Sequence, residues 1–411
     1  MDITGNSALL LKGVRIVDWT VVQTGPSATQ LLADMGAEVI KVESRAGGDL
    51  SRGVTKDAGN FLMLSNGLSY GFENNNRNKK SIAVDLTKEE GRKIIYSLVA
   101  KADVFVQNFR NGVAKKLKVD YETLQKYNGS LVYANCTGYG PKGSQASKPA
   151  MDSAIHAASG MMLGIGDANM PPVHLPGAMS DKVTGLMLAY AIMLGLFYRE
   201  RTGTGQSIDV SMLGSMIWLQ GNNLLYSLLF KKSRERQLRT KPKNPLVNHY
   251  CCKDGRWILF AMFQPDKYWS AFCRALGIKN LINDPRFSNL NSRERHCTEL
   301  VSILDKEFAK KTRAEWLDIL AKEDLIYSAI KDYWEVLNDP QVLENDYITE
   351  FDHPTIGKLK EIGLPVKFSK TPGSIREPAP QLGQHTEEVL IDILDLSWEE
   401  IEKLRDREVI L

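Results

Sequence analysis

The chain has 411 residues, 43% of them hydrophobic and 25% charged, the usual proportions of a soluble globular protein. That excludes disordered, collagen-like and coiled-coil classes, and the length accommodates two or three domains. With 52 Lys and Arg against 49 Asp and Glu the net charge is +3, too small for wholesale binding of a polyanion. Any anion must be held by a local basic cluster.

In chain order, the first sixteen residues lack the basic start and long apolar stretch of a signal peptide, so a cytoplasmic location is expected. Residues 14–19 (VRIVDW) form a short apolar run, broken by Gln23-Thr24-Gly25-Pro26. Residues 27–35 have helical character, Gly36 stops them, and 38–43 (EVIKVE) read as a second strand. This is a βαβ unit with a right-handed crossover. The pattern recurs as strand 81–85, helix 88–101, strand 103–106, helix 121–127 and strand 131–135. The expected fold is α/β: an open, mostly parallel, Rossmann-like sheet with helices on both faces.

Residues 153–230 read as mainly helical, interrupted by a strand at 207–210. Within them, 185–198 (GLMLAYAIMLGLFY) is apolar but too short for a bilayer, which favours a helix buried inside the protein. Residues 231–243 carry seven basic residues and one acid and read as a linker. A strand pair follows at 246–252 and 256–263 around Lys253-Asp254-Gly255. A smaller α+β domain is therefore expected at 226–335, with the large domain built from 1–225 and 336–411. The tail from Pro340 reads as strand-poor and ends in one amphipathic helical stretch, 385–407.

The chemistry is first defined by absences. No GxGxxG follows the first strand, and Walker A, HExxH and GxSxG patterns are missing. The five cysteines are odd in number and form no CxxC pair, and the six histidines show no metal-ligand spacing. Neither a metal nor a nicotinamide is expected. Basic residues do cluster in the first half (Lys41, Arg45, Arg52, Arg77, Lys79, Lys80, Arg110, Lys115, Lys116), alongside a first βα loop suited to an anion. Together they suggest a phosphate-rich cofactor; the plain alternative is a set of solvated charges. Asp181 opens the apolar helix, where the positive end of the helix dipole favours an ionised carboxylate. That suits a nucleophile, and equally an ordinary N-terminal acid with Ser180 as cap.

Eight segments taken in order carry a resemblance that covers almost the whole chain. They are 11–43, 76–92 (NRNKKSIAVDLTKEEGR), 103–113 (DVFVQNFRNGV), 137–143 (TGYGPKG), 202–212 (TGTGQSIDVSM), 284–293 (DPRFSNLNSR), 337–342 (LNDPQV) and 379–390 (APQLGQHTEEVL). The chain resembles the family III CoA-transferases, the group of formyl-CoA transferase and carnitine CoA-transferase. The resemblance implies that CoA passes from an acyl-CoA to a small carboxylic acid, with Asp181 as nucleophile and Gln23 as a donor to the oxyanion. It also implies CoA contacts at Thr24, Arg45, Val84, Asn108, Phe109 and Lys116, and an acidic residue, Asp152, near the site. Lys116 stands where the family often has arginine, and Arg45 lies one position beyond the usual one, which Ser44 occupies.

No glycine-rich loop is visible between Leu246 and Phe263, which argues against formate and oxalate. Phe260, Phe263, Tyr268 and Trp269 could admit a larger acyl group or pack a core. The resemblance further implies an interlocked homodimer, with a heteromer as the variant; the small net charge and the short apolar segment point to no nucleic-acid or membrane partner. Two alternatives stand beside it. An α-methylacyl-CoA racemase of the same fold needs a histidine where this chain has Met151, and a thioether cannot exchange a proton. A non-catalytic CoA-binding subunit is the other.

Overall fold

The computed structural model describes residues 9–53, 56–57, 60–61, 63–64, 67–355 and 357–411. Six strands build the main sheet: β1 (Arg15–Trp19), β2 (Glu38–Glu43), β3 (Lys79–Ala83), β4 (Val104–Gln107), β5 (Val132–Thr137) and β6 (Gln206–Ser211). All pair in parallel, in the order β3-β2-β1-β4-β5-β6. β1 and β4 are buried nearly throughout, as strands covered on both faces must be, although β1 carries the charged Asp18 inside. The order reverses direction between β1 and β4, which leaves a crevice at the carboxyl ends of those two strands.

The helices that concern the site are α1 (Thr24–Asp34), α2 (Tyr70–Asn76), α3 (Glu89–Ala100), α4 (Asp152–Ala158), α5 (Met179–Thr202) and α6 (Met212–Leu219). β1, α1 and β2 form the βαβ unit read from the sequence. α3 lays Ile94, Ile95, Leu98 and Val99 on the sheet. β3 begins at Lys79, two residues earlier than its apolar run suggests. A lysine in a buried strand is invisible to hydrophobic pattern; here Asp18 of β1 neutralises it.

The chain divides into two compact units. One runs to Met162, resumes over His174–Leu229 and ends with Leu343–Leu411; the other comprises Leu163–Val173 and Phe230–Val342. The second unit is α+β. Its antiparallel sheet joins Val247–Cys251, Trp257–Ala261 and Tyr327–Ala329, under helices Pro265–Leu276, Cys297–Phe308 and Arg313–Leu320. Phe260 and Trp269 lie in this unit's aromatic core with Phe272, Phe308 and Trp316, so they pack rather than line a pocket. Phe263 is exposed.

Three expectations change. The tail contains an antiparallel hairpin, Ile348–His353 with Gly357–Ile362. The terminal stretch is two helices, Thr386–Asp392 and Trp398–Asp406, because Asp395 takes a left-handed φ of 61° and Ser397 opens the second with a capping box to Glu400. α5 is longer than its apolar segment and is not buried all round. One face (Thr184, Gly185, Leu188, Ala189, Ile192, Gly195) packs on α1 and β5, while Leu186, Tyr190, Leu194 and Phe197 are exposed.

Two glycines let α5 approach so closely. A Cβ at Gly185 would stand 2.1 Å from Ser27 Oγ and 2.9 Å from the Thr24 carbonyl, and one at Gly195 would stand 2.7 Å from Val132 Cγ1. Gly185→Ala therefore sets a helix-propensity gain of about 1 kcal/mol against overpacking that costs about 1–3 kcal/mol. The backbone oxygen cannot rotate away, so the clash wins. Denaturant unfolding is expected to show a net loss of stability; equal or greater stability would refute the close packing.

Candidate active site

β1 ends at Trp19 and β4 at Gln107, and one side chain ties the loops beyond them. Val21 N–H donates to Asn108 Oδ1 at 2.8 Å, and Asn108 Nδ2 donates to the Val21 carbonyl at 2.8 Å. Next to it, the Phe109 ring stacks on Trp19 with centroids 4.1 Å apart. Two cavities open at this crevice. One, of about 260 Å³, is lined by Gln23, Thr24, Asn108, Phe109, Arg110 and Asp181 among others. The second, of about 330 Å³, is lined by Trp19, Ser44, Val84, Asp85 and Phe109 among others. Phe109 is shared by both.

The loop after β1 is held by charges with no access to water. Lys41 of β2 donates to Asp49 at 2.8 Å and to the Thr20 carbonyl at 2.9 Å, and both side chains are wholly buried. Asp49 in turn accepts the Val22 N–H at 3.0 Å, and Val22 sits at φ 66°, a costly conformation for a β-branched residue. Burial alone would raise the Asp49 pKa; the Lys41 ammonium and backbone N–H groups overcome it and hold it down at about 2. Lys79 donates to Asp18 at 3.0 Å, to the Pro26 carbonyl and to Asn76. Burial lowers its pKa to about 8 despite Asp18.

These pairs correct the reading of a basic cluster gathered for phosphate. Lys41 and Lys79 face inward, Arg77 pairs with Asp34, and Arg52 with Glu43. Burying an ammonium without a partner is too costly, so each has been given a carboxylate. Arg110 remains on the cavity wall.

Asp181 lies in the first turn of α5. The helix begins at Met179; Ala178, just before it, takes a left-handed φ of 55° and provides no side-chain cap, so Ser180 is inside the helix rather than its cap. The carboxylate of Asp152, at the start of α4, does the capping. Its Oδ1 accepts from Ser180 N–H at 2.7 Å, Ser180 Oγ at 2.6 Å and Asp181 N–H at 3.3 Å. Across the crevice, Thr24 Oγ1 donates to Asp181 Oδ1. Burial raises the Asp181 pKa to about 6; Thr24 and Lys182 oppose the rise, and the Asp152 charge adds to it. The group is thus ionised at neutral pH yet poorly solvated, the condition of a reactive carboxylate. Cys136, buried in the same wall, is no rival, since burial pushes its thiol pKa up.

Gln23, just ahead of α1, is oriented by a relay. Lys182 Nζ donates to Asn75 Oδ1 at 2.6 Å, and Asn75 Nδ2 donates to Gln23 Oε1 at 3.4 Å. With its oxygen engaged, the Gln23 amide has its NH2 group to offer. The N-terminal N–H groups of α1, which have no earlier carbonyl in the helix to bond, lie beside it.

The structure thus gathers Asp181, Gln23, Thr24, Asn108 and Phe109 at one cavity, and sets Val84 in the other. Thr24 is bonded to Asp181. Asp152 stands behind Asp181 at the helix start. Arg45 is tied to the C-terminus through the Ile410 carbonyl at 2.9 Å and Glu408 at 3.6 Å, and Lys116 is exposed on the helical turn 113–116. Met151 lines the first cavity, where a racemase would need a proton carrier. Sequence reasoning missed Asp49, Asn75 and Lys182, none of which has a local pattern that announces its partner.

The chain has relatives among known proteins. A family profile described as CoA-transferase family III matches residues 11–386. A succinyl-CoA:glutarate CoA-transferase from Mus musculus is 35% identical over 399 residues, covering 96% of this chain and 88% of the relative. An (R)-2-hydroxy-4-methylpentanoate CoA-transferase from Clostridioides difficile is 31% identical over 407 residues, covering 98% of this chain and 100% of the relative. Among solved structures, a CAIB/BAIF family protein from Brucella suis superposes with a TM-score of 0.84 at 30% identity, covering 95% of this chain and 100% of its own.

Two variants test the electrostatic frame. Lys41→Met strands the buried Asp49 carboxylate, and breaking such a pair costs about 3–5 kcal/mol; a denaturant midpoint close to wild type would show the pair to be dispensable. Asp181→Asn has the opposite sign. A carboxyl whose folded pKa rises from 3.8 to about 6 penalises the fold fully above pH 6 and not at all below 3.8. At pH 8 the variant is expected to gain up to about 3 kcal/mol, a gain that thermal melts should see vanish in acid.

Proposed function

The chain belongs to the family III CoA-transferases, and from that membership we propose that Asp181 is the nucleophile that carries CoA between two carboxylic acids. One observation supports this most: a desolvated carboxylate at the helix start faces the crevice at the strand ends, within reach of the Thr24 hydroxyl and opposite Asn108 and Phe109.

The Asp181 carboxylate attacks the thioester carbonyl of the donor acyl-CoA. The C–S bond breaks, CoA thiolate leaves, and an acyl-aspartyl anhydride remains. The thiolate then attacks the aspartyl carbonyl of that anhydride, releasing the donor acid and leaving an aspartyl-CoA thioester. The acceptor carboxylate attacks this thioester and expels the thiolate, giving a second anhydride. Thiolate attack on the acceptor's carbonyl completes the acceptor-CoA and frees Asp181. One thioester replaces another, so no ATP is needed. Each tetrahedral oxyanion needs preorganised donors, supplied in this reading by the Gln23 amide and the N–H groups of α1; losing one typically costs about 10²–10³ in rate.

CoA lies along the second cavity, with its nucleotide near Val84 and Phe109. Asn108 holds the crevice in shape, and Arg110 offers charge to the phosphates. Thr24 serves the nucleophile more directly than the cofactor. Asp152 is a positioning residue that holds the first turn of α5. The acyl groups are larger than formyl or oxalyl. The working unit is a homodimer: Leu186, Tyr190 and Phe197 on α5 and Trp218 on α6 form an exposed apolar surface of the kind a partner chain covers.

Incubation with acyl-CoA, followed by mass spectrometry, should find a CoA adduct on the Asp181 peptide, with Asp181→Asn inactive. Transfer by that variant at the wild-type rate would sink the assignment. The rate is expected to hold above pH 6 and fall as acid protonates Asp181; a limb unmoved between pH 5 and 7 would contradict a pKa of about 6. Native mass spectrometry should give twice the chain mass.

A further inference from the structure

Behind Asp181, two histidines that the transfer chemistry does not use converge on Asp152. Asp152 and His156 sit one turn apart on α4, and His174 arrives from the segment preceding α5. One ligand atom from each lies within 4.8 Å of the others. His156 Nδ1 is 3.4 Å from Asp152 Oδ2. His156 is wholly buried, yet neither ring nitrogen has a hydrogen-bond partner. A buried imidazole left in that state calls for a partner. His174 is exposed, and its Nε2 is oriented by Ser153 Oγ at 2.8 Å, the kind of outer contact that aims a metal-ligating ring.

We propose that Asp152, His156 and His174 bind one divalent transition-metal ion of the zinc class. Two imidazoles and a carboxylate are a donor set that zinc accepts, with a fourth position left for water. Bonds of about 2.0–2.1 Å in a tetrahedron place neighbouring ligand atoms about 3.4 Å apart, the separation already present between His156 and Asp152. His174, on an exposed segment, is free to close the remaining gap. Sequence spacing could not show the site, because the third ligand comes from a different element. The ion engages Asp152 Oδ2 while Oδ1 keeps its bonds to Ser180 and Asp181, so it fixes the start of α5 without touching substrate.

The test uses the full chain and the metal alone. Cobalt(II) titration should show ligand-field absorption saturating at one equivalent, displaced by zinc. Five free cysteines could also take up metal, so the deciding variant is His174→Ala, whose exposed position keeps the fold intact. It should bind at least ~10-fold more weakly, the lower bound of the loss seen when even an outer contact of a metal site is removed. No uptake by wild type, or equal affinity in His174→Ala, overturns the site.

Discussion

Two ammonium groups sealed inside the sheet hold the crevice in shape. Lys41 and Lys79 reach from β2 and β3 to Asp49 and Asp18, and from there to the carbonyls of Thr20 and Pro26 on either side of the first βα loop. Burying these four charges gives little net stability, because desolvation consumes most of the attraction. What the arrangement provides is position. It holds Val22 in a conformation that its own side chain resists, and so sets where Gln23 and Thr24 begin α1.

From that fixed loop the rest follows by contact. Thr24 meets Asp181, Gly185 lets α5 lie against the same turn, and Asp152 fastens the helix start from behind. Asp181 is thus gripped from two other elements, α1 and α4, that lie far apart in the chain. Its carboxylate is kept short of water without being neutralised, since the Thr24 hydroxyl and Lys182 offset part of the burial penalty. Asn108 plays the corresponding part on the other bank, joining β4 to β1 through both atoms of one amide.

The sheet was legible because β1, β4 and β5 are apolar runs separated by turn residues, and because a βαβ unit allows one handedness. β3 was misplaced where lysines interrupt its pattern, and the hairpin 348–362 was missed because its strands alternate among polar residues with little to bury. Asp181 stood out by its place before a long apolar helix, but only the family resemblance made it the expected nucleophile. That Thr24 and Asp152 would bond to it and its helix start was not legible. Thr24 lies 157 positions away, and Lys41 looks like a surface charge until the fold encloses it. Local pattern reports burial and period; it cannot report which distant group will neutralise a charge.

α5 carries Asp181 at its first turn and an exposed apolar stripe along its length. For a newly made chain this couples chemistry to handling in the cell. A stripe of Leu186, Tyr190, Leu194 and Phe197 attracts any other exposed apolar segment, including those of chains still folding. Slow, cool synthesis with chaperone capacity to spare then favours the soluble product over inclusion bodies.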